Sequence, residues 1–257
     1  MNQILHSKIT GKGQPFIILH GFLGMSDNWK TLGNQYAENG YEVHLVDQRN
    51  HGRSFHSADF DYDFLANDLK AYLQHHQLGE IILLGHSMGG KTAMQFSCNH
   101  AQQVQKLIVA DIAPKYYPAH HQQIIDGLTK LNFDKIESRG EADEQLANYI
   151  SDIGTRQFLL KNLYWAEKGR LALRFNLSVL GDKMNEVGEN MSARNHYDGP
   201  TLFLKGERSE YITSADLPEI KRHFPKAVLQ TIDKAGHWLH AENPKQFFEK
   251  TMQFLNS

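Results

Sequence analysis

Short apolar runs alternate with amphipathic stretches along most of this chain. Runs at 16–19, 43–46, 81–84, 107–110, 201–204 and 228–232 are rich in β-favouring residues, and several are apolar throughout, as strands covered on both faces must be. Helical spacing separates most of them, at 28–39 and 62–77 among others, which predicts an α/β fold with a mostly parallel central sheet flanked by helices. The exception is a long gap from 115 to 198. There Ile124, Leu128 and Leu131 fall on one helical face, as do Leu171, Phe175 and Val179. This pattern predicts an inserted helical cap at 115–198 on a core made of 1–114 and 199–257, with Pro114 and Gly199-Pro200 suited to the entry and exit turns.

Composition narrows the class. The 257 residues, 40% hydrophobic and 22% charged, suffice for one large domain or a domain carrying an insertion. A formal net charge of -2 gives no broad field to attract nucleic acid or an anionic membrane, and suits a small neutral substrate. Residues 1–13 hold no apolar core of signal-peptide length, and no run approaches the roughly 18 residues of a membrane span. A cytoplasmic protein without a membrane span is expected. The single cysteine, Cys98, has no internal disulfide partner and reads as a small hydrophobe in a helix.

The chemistry concentrates at Gly85-His86-Ser87-Met88-Gly89, between an apolar strand-like run and a helical segment reaching to about 99. This is the G-x-S-x-G elbow in its strand-turn-helix setting, where glycine two residues to either side of the serine is a steric demand. Ser87 is therefore the candidate nucleophile. Gly85-x-x-x-x-Gly90-Lys91-Thr92 also fits a phosphate-binding loop, and Asp111 after the next run would suit a magnesium ligand, so a nucleotide hydrolase is the rival from another class. That rival needs neither His20-Gly21 nor a histidine near the C-terminus, and the chain has both.

HGFLG at 20–24, DQRNHGRS at 47–54, GHSMGG at 85–90 and AGHWLHAENP at 235–244 together resemble the α/β-hydrolase superfamily across essentially the whole chain. DIAPKYY at 111–117, RFNL at 174–177 and LKGERSEYI at 204–212 look most like the YbfF-type bacterial esterases. That resemblance implies a cofactor-free serine hydrolase acting on small-molecule acyl esters or acyl-CoA thioesters. A carbon-carbon bond hydrolase of the same core and cap is the nearest alternative.

A serine hydroxyl needs an imidazole to take its proton, and the imidazole needs a carboxylate to fix its tautomer. Of fifteen histidines, His237 is the best base, because it follows the last predicted strand with Gly236 before it, in the chain order of this fold. His240 should point elsewhere. The pairs His75-His76 and His120-His121 lie on helical patterns, where neighbours face roughly 100° apart and cannot share a metal, so no metal site is expected. Oxyanion donors in this fold come from the residue after the nucleophile and from an early loop, which points to the Met88 and Phe22 N–H groups. Asp47, Arg49, His51 and Gly52 read as architectural, and Asn50 stands where the superfamily usually has glycine.

The acid is less direct. The superfamily usually places it in a G-x-x-D pattern after the 201–204 run, but Gly206-Glu207-Arg208-Ser209 has serine there. Glu207 and Glu210 read as solvated charges, whereas Asp111 ends the run after the nucleophile run, a position that the YbfF-type resemblance also implies. Among the aromatic residues of the cap, Tyr116, Tyr117, Phe133, Tyr149, Phe158, Tyr164, Trp165, Phe175 and Tyr197, most are expected to form cap core. The rest, with Phe22, Met88 and Trp238, are candidates for an acyl pocket, Tyr116 and Trp238 foremost.

Overall fold

The computed structural model describes residues 3–119 and 121–257. Strands β1 (Ser7–Gly11), β2 (Gln14–Leu19), β3 (Tyr41–Val46), β4 (Ile81–His86), β5 (Val104–Ala110), β8 (Thr201–Gly206) and β9 (Ala227–Ile232) form one sheet in the order β1-β3-β2-β4-β5-β8-β9. β6 (Leu163–Glu167) and β7 (Arg170–Leu173) pair separately as a hairpin. Only β1 runs antiparallel to its neighbour in the sheet.

Successive side chains on a strand point to opposite faces, and here both faces are apolar. Ile17, Leu83, Val109 and Phe203 pack with Leu69 and Tyr72 of the helix Tyr62–His75 and with Met94 and Phe96 of the helix Met88–Asn99. On the other face Ile18, Leu84, Ile108 and Leu204 pack with Tyr36 of the helix Lys30–Glu38 and with Phe247 and Phe254 of the helix Pro244–Leu255. A third cluster joins Phe22, Leu23 and Met88 to Ile125, Leu159 and Leu180, so the chain between β5 and β8 lies over the ends of the strands that carry the site.

That segment departs from the all-helical pattern. Leu171 sits in β7, paired with Trp165, while Val179 is in the short helix Leu177–Asp182 and Phe175 lies between the two elements. The two-residue connection Lys168-Gly169, with Gly169 at φ +84°, closes the hairpin and breaks the helical spacing. The cap aromatics also differ from expectation. Phe175 is buried in the third cluster, but Tyr116, Tyr149 and Trp165 are exposed, and Tyr197 is buried against the sheet, its hydroxyl donating to the Val104 carbonyl at 2.8 Å. Among the described residues no helix is long and apolar enough to cross a membrane.

The turn from β4 into the helix Met88–Asn99 is a close backbone contact. A Cβ on Gly85 would sit 2.0 Å from the Gly89 carbonyl oxygen, and one on Gly89 would sit 2.5 Å from the carbonyl oxygens of Leu19 and His20. Strand, helix and the neighbouring strand thus touch through backbone alone. Gly85→Ala is therefore expected to destabilise the protein by at least about 3 kcal/mol, since backbone cannot yield as a side chain can. Urea denaturation of wild type and variant checks this, and an unchanged midpoint would contradict it.

Candidate active site

Ser87 and Asp111 leave the sheet in the same way. Each N–H extends the ladder by one residue, Ser87 donating to the Ala110 carbonyl at 3.0 Å and Asp111 to the Leu204 carbonyl at 2.8 Å. Each then takes a left-handed backbone, φ +53° at Ser87 and φ +52° at Asp111. For a non-glycine residue this costs roughly 1–3 kcal/mol and persists only where the surroundings impose it. Its effect is to turn both side chains to one point at the strand ends.

His237 arrives there from the loop after β9. Its Nε2 lies 3.1 Å from Ser87 Oγ, and its Nδ1–H donates to Asp111 Oδ2 at 2.8 Å. Asp111 is fully buried, and it also accepts from the Gly206 N–H at 3.0 Å and from the Ser209 hydroxyl. The imidazole is held elsewhere too: the Tyr211 ring stacks on it at 3.8 Å and 16°, and His86 Nε2–H donates to the His237 carbonyl at 2.8 Å. With Nδ1 committed as donor, Nε2 is left as the acceptor for the Ser87 hydroxyl.

The loop after β2 lies against the serine. A Cβ on Gly21 would come within 3.3 Å of Ser87 Cβ. Among the described residues neither the Phe22 nor the Met88 N–H donates to a protein acceptor, and Met88 opens its helix, where N–H groups have no intrahelical partner. The loop is fixed from behind. His20 Nδ1–H donates to the Gly21 carbonyl at 2.8 Å, and its Nε2 accepts from the Gln48 N–H at 3.0 Å. Gln48 in turn donates to the His20 carbonyl at 2.8 Å and accepts from the Thr92 hydroxyl at 2.8 Å. His51 Nε2 accepts from the Leu23 N–H at 3.2 Å. Asp47 accepts from the Ser26 N–H at 2.6 Å and the Arg53 N–H at 2.9 Å, Arg49 forks onto Asp68 at 2.5 and 2.7 Å, and Asn50 stands at φ +62°.

A cavity of about 380 Å³ opens over Ser87, lined by Phe22, Trp29, Phe158, Leu159, His237 and Trp238 among others. Trp238 stacks on Phe158 at 5.3 Å. Tyr116, expected beside it, is 52% exposed and lines neither this cavity nor a smaller one that also reaches Ser87, whose wall includes Tyr117. The inward direction belongs to Tyr117, whose hydroxyl donates to the Tyr211 carbonyl at 2.6 Å and accepts from the Ala113 N–H at 2.9 Å.

Lys91 overturns the phosphate-loop alternative. Its ammonium is buried and donates to the carbonyls of Lys115 at 3.0 Å, Gly188 at 2.9 Å and Glu189, so its three hydrogens are used within the protein. Desolvation, the largest effect on it, lowers its pKa to about 7. Cys98 is half-buried against the core, and burial pushes its thiol up to about 12, far from a reactive thiolate. Glu207 and Glu210 are exposed, Glu207 accepting from the Lys234 N–H at 2.7 Å. His75 ends a helix and His121 precedes one, while His120 lies outside the described residues.

Fold and site together define an α/β hydrolase, and the chain belongs to that family: the profile of the family described as alpha/beta hydrolase fold matches residues 14–143. Two relatives span nearly all of it. A Mus musculus protein named sn-1-specific diacylglycerol lipase ABHD11 is 37% identical over 246 residues, 93% of this chain and 80% of that protein. Esterase YbfF of Escherichia coli (strain K12) is 31% identical over 245 residues, 94% of this chain and 93% of that protein. A solved structure of a marine microorganism esterase superposes with a TM-score of 0.95 at 41% identity, over 98% of this chain and all of that one, 100%.

Four histidines pack around the site without carrying charge. His20, His51, His86 and His240 are buried, and in each desolvation is the largest effect and lowers the pKa, well below the ordinary 6.5 for His51 and His86 and to about 3 for His240. His240 stacks flat on Trp29 at 4.1 Å. The unfolded chain, in which each group titrates near 6.5, binds protons that the folded chain refuses, so this stability is complete above about pH 6.5 and is lost as pH falls below it. The thermal midpoint is expected to drop as pH falls below 6, with a loss approaching about 1.4 kcal/mol per pH unit for each group. Scanning calorimetry across pH 5 to 8 measures it; a midpoint that rises on acidification would contradict the assignment.

Proposed function

We propose that the protein is a serine esterase, a carboxylic ester hydrolase working through Ser87, His237 and Asp111 and a covalent acyl-enzyme. The observation that carries this reading is the unbroken hydrogen-bond chain from Ser87 Oγ through His237 to Asp111, 3.1 and 2.8 Å long, beside two backbone N–H groups with no protein acceptor among the described residues. His237 Nε2 takes the serine proton as Oγ attacks the acyl carbon. The developing oxyanion turns to the Phe22 and Met88 amides, which lose no reorganisation energy at that moment because the structure already holds them. His237 then gives its proton to the leaving oxygen, and a water attacks the acyl-enzyme with His237 again as base.

Asp111 acts through His237, fixing the tautomer and stabilising the imidazolium. Thioesters follow the same steps with sulfur as the leaving atom, so acyl-CoA thioesters fall within this reading. No step needs a metal or an organic cofactor. Residues 115–198 serve as the cap over a core of 1–114 and 199–257, contributing Phe158 and Leu159 to the main cavity. The substrate is a small-molecule acyl ester or thioester.

A fluorophosphonate probe is expected to label wild type and not Ser87→Ala, with ester turnover lost in the same variant. Asp111→Asn should lower kcat by up to about 10⁴ with the circular dichroism unchanged. Glu207→Gln and Glu210→Gln should stay near wild type. Near-wild-type turnover by Asp111→Asn, with collapse of either glutamine variant, would place the acid on the loop after β8 and overturn its assignment here.

A further inference from the structure

Ser87 lines two cavities of very different size. The larger holds about 380 Å³ and the smaller about 20 Å³. His237 lines the larger only, whereas Met88, Ile112, Met184 and Val187 line the smaller only and Tyr211 borders both. This asymmetry orients an ester. Resting on the serine-esterase reading above, we propose that the substrate is a short-chain acyl ester, no longer than acetyl to propionyl, of an extended apolar alcohol: the acyl group enters the small cavity and the alcohol the large one.

The argument is stereochemical. The tetrahedral carbon carries Ser87 Oγ, an oxyanion directed to the Phe22 and Met88 amides, the leaving oxygen and the acyl substituent. His237 must reach the leaving oxygen to protonate it, so the alcohol lies on the side that His237 lines. The acyl substituent takes the remaining direction, into the small cavity. One water needs about 10–15 Å³ of such space, so about 20 Å³ accepts a methyl group and little more. The large cavity falls within the roughly 300–1,000 Å³ typical of small-molecule sites.

The small cavity is also braced against expansion. Gly188 in its wall has its carbonyl held by Lys91 Nζ at 2.9 Å and by the Tyr117 N–H at 2.8 Å, and a Cβ on Gly188 would stand 2.0 Å from the Tyr117 carbonyl oxygen. Lys91 belongs to the helix that begins beside Ser87. The wall is therefore tied to the nucleophile helix and does not open independently of it.

Hexyl acetate and ethyl hexanoate separate this orientation from simple hydrophobicity, because they are isomers with alkyl leaving groups and differ in which side of the carbonyl carries the chain. Hexyl acetate is expected to have at least about 10³-fold higher kcat/KM, since the hexanoyl chain carries three methylenes beyond the propionyl limit and each one forced into a closed pocket costs about tenfold or more. Met184→Ala and Val187→Ala, which enlarge the small cavity, should each narrow that ratio about tenfold, and the wild-type ratio stands as a test if either fails to fold. An enzyme labelled by fluorophosphonate at Ser87 that prefers ethyl hexanoate, favours neither isomer, or cleaves neither overturns the orientation alone. An enzyme unlabelled at Ser87 and inactive on both overturns the esterase reading and this one with it.

Discussion

The backbone-on-backbone approach at the β4 turn is the constraint from which the rest of the site is measured. Gly85 lies against Gly89, and Gly89 lies against the carbonyls of Leu19 and His20, at separations that admit no side chain. Because the helix starts this close to β2, Ser87 is held in a left-handed backbone, at φ +53°. The strain is sustained by the Ser87 N–H bond to Ala110 and by a sheet buried on both faces, not by anything in the turn itself.

A second layer keeps this arrangement rigid by hydrogen bonds that need neutral rings. His20 and His51 each use one nitrogen to donate to a carbonyl and the other to accept a backbone N–H, a pairing that only the uncharged imidazole can make. Burial removes the proton that would break it. Lys91 solves the opposite problem: a buried cation with no carboxylate among its hydrogen-bond partners, satisfied by three carbonyls and by the face of Tyr117 at 4.9 Å. Through Lys115 on one side and Gly188 and Glu189 on the other, it joins both ends of the segment between β5 and β8 to the helix Met88–Asn99.

What the sequence disclosed tracks where the physics is local. The parallel strands were legible because burial on both faces leaves unbroken apolar runs. β1 was not, because Ser7–Gly11 is an edge strand with no buried residue and little apolar content. Helical spacing at Leu171 does not separate a helix from the β6–β7 hairpin, because a short strand pair with a two-residue turn can match it by chance; the turn signal is Lys168-Gly169. Ser87 and its flanking glycines were legible since the steric demand lies within five residues. The stacking of Tyr211 on His237, the His86 bond to the His237 carbonyl and the role of Lys91 depend on residues 24 to 151 positions apart, and no local pattern encodes them.

Asp111 and Ser209 show how a site can keep its geometry while its residues change places. β5 and β8 are neighbours in the sheet, in register from Leu107 with Thr201 to Ala110 with Leu204, so the chain leaving either strand arrives at nearly the same point. The imidazole Nδ1 requires a carboxylate oxygen there and is indifferent to the strand that supplies it. From β5 the left-handed turn at Asp111 aims the short side chain at His237; from β8 the residue at the position where the family more often has its acid is Ser209, and its hydroxyl donates to that same Asp111 oxygen. The serine thus fills, as a donor to the carboxylate, space that a second carboxylate could occupy only against the repulsion of a like charge. The two positions are alternatives set by sheet adjacency, which is why a missing aspartate after β8 is no sign of a defective site.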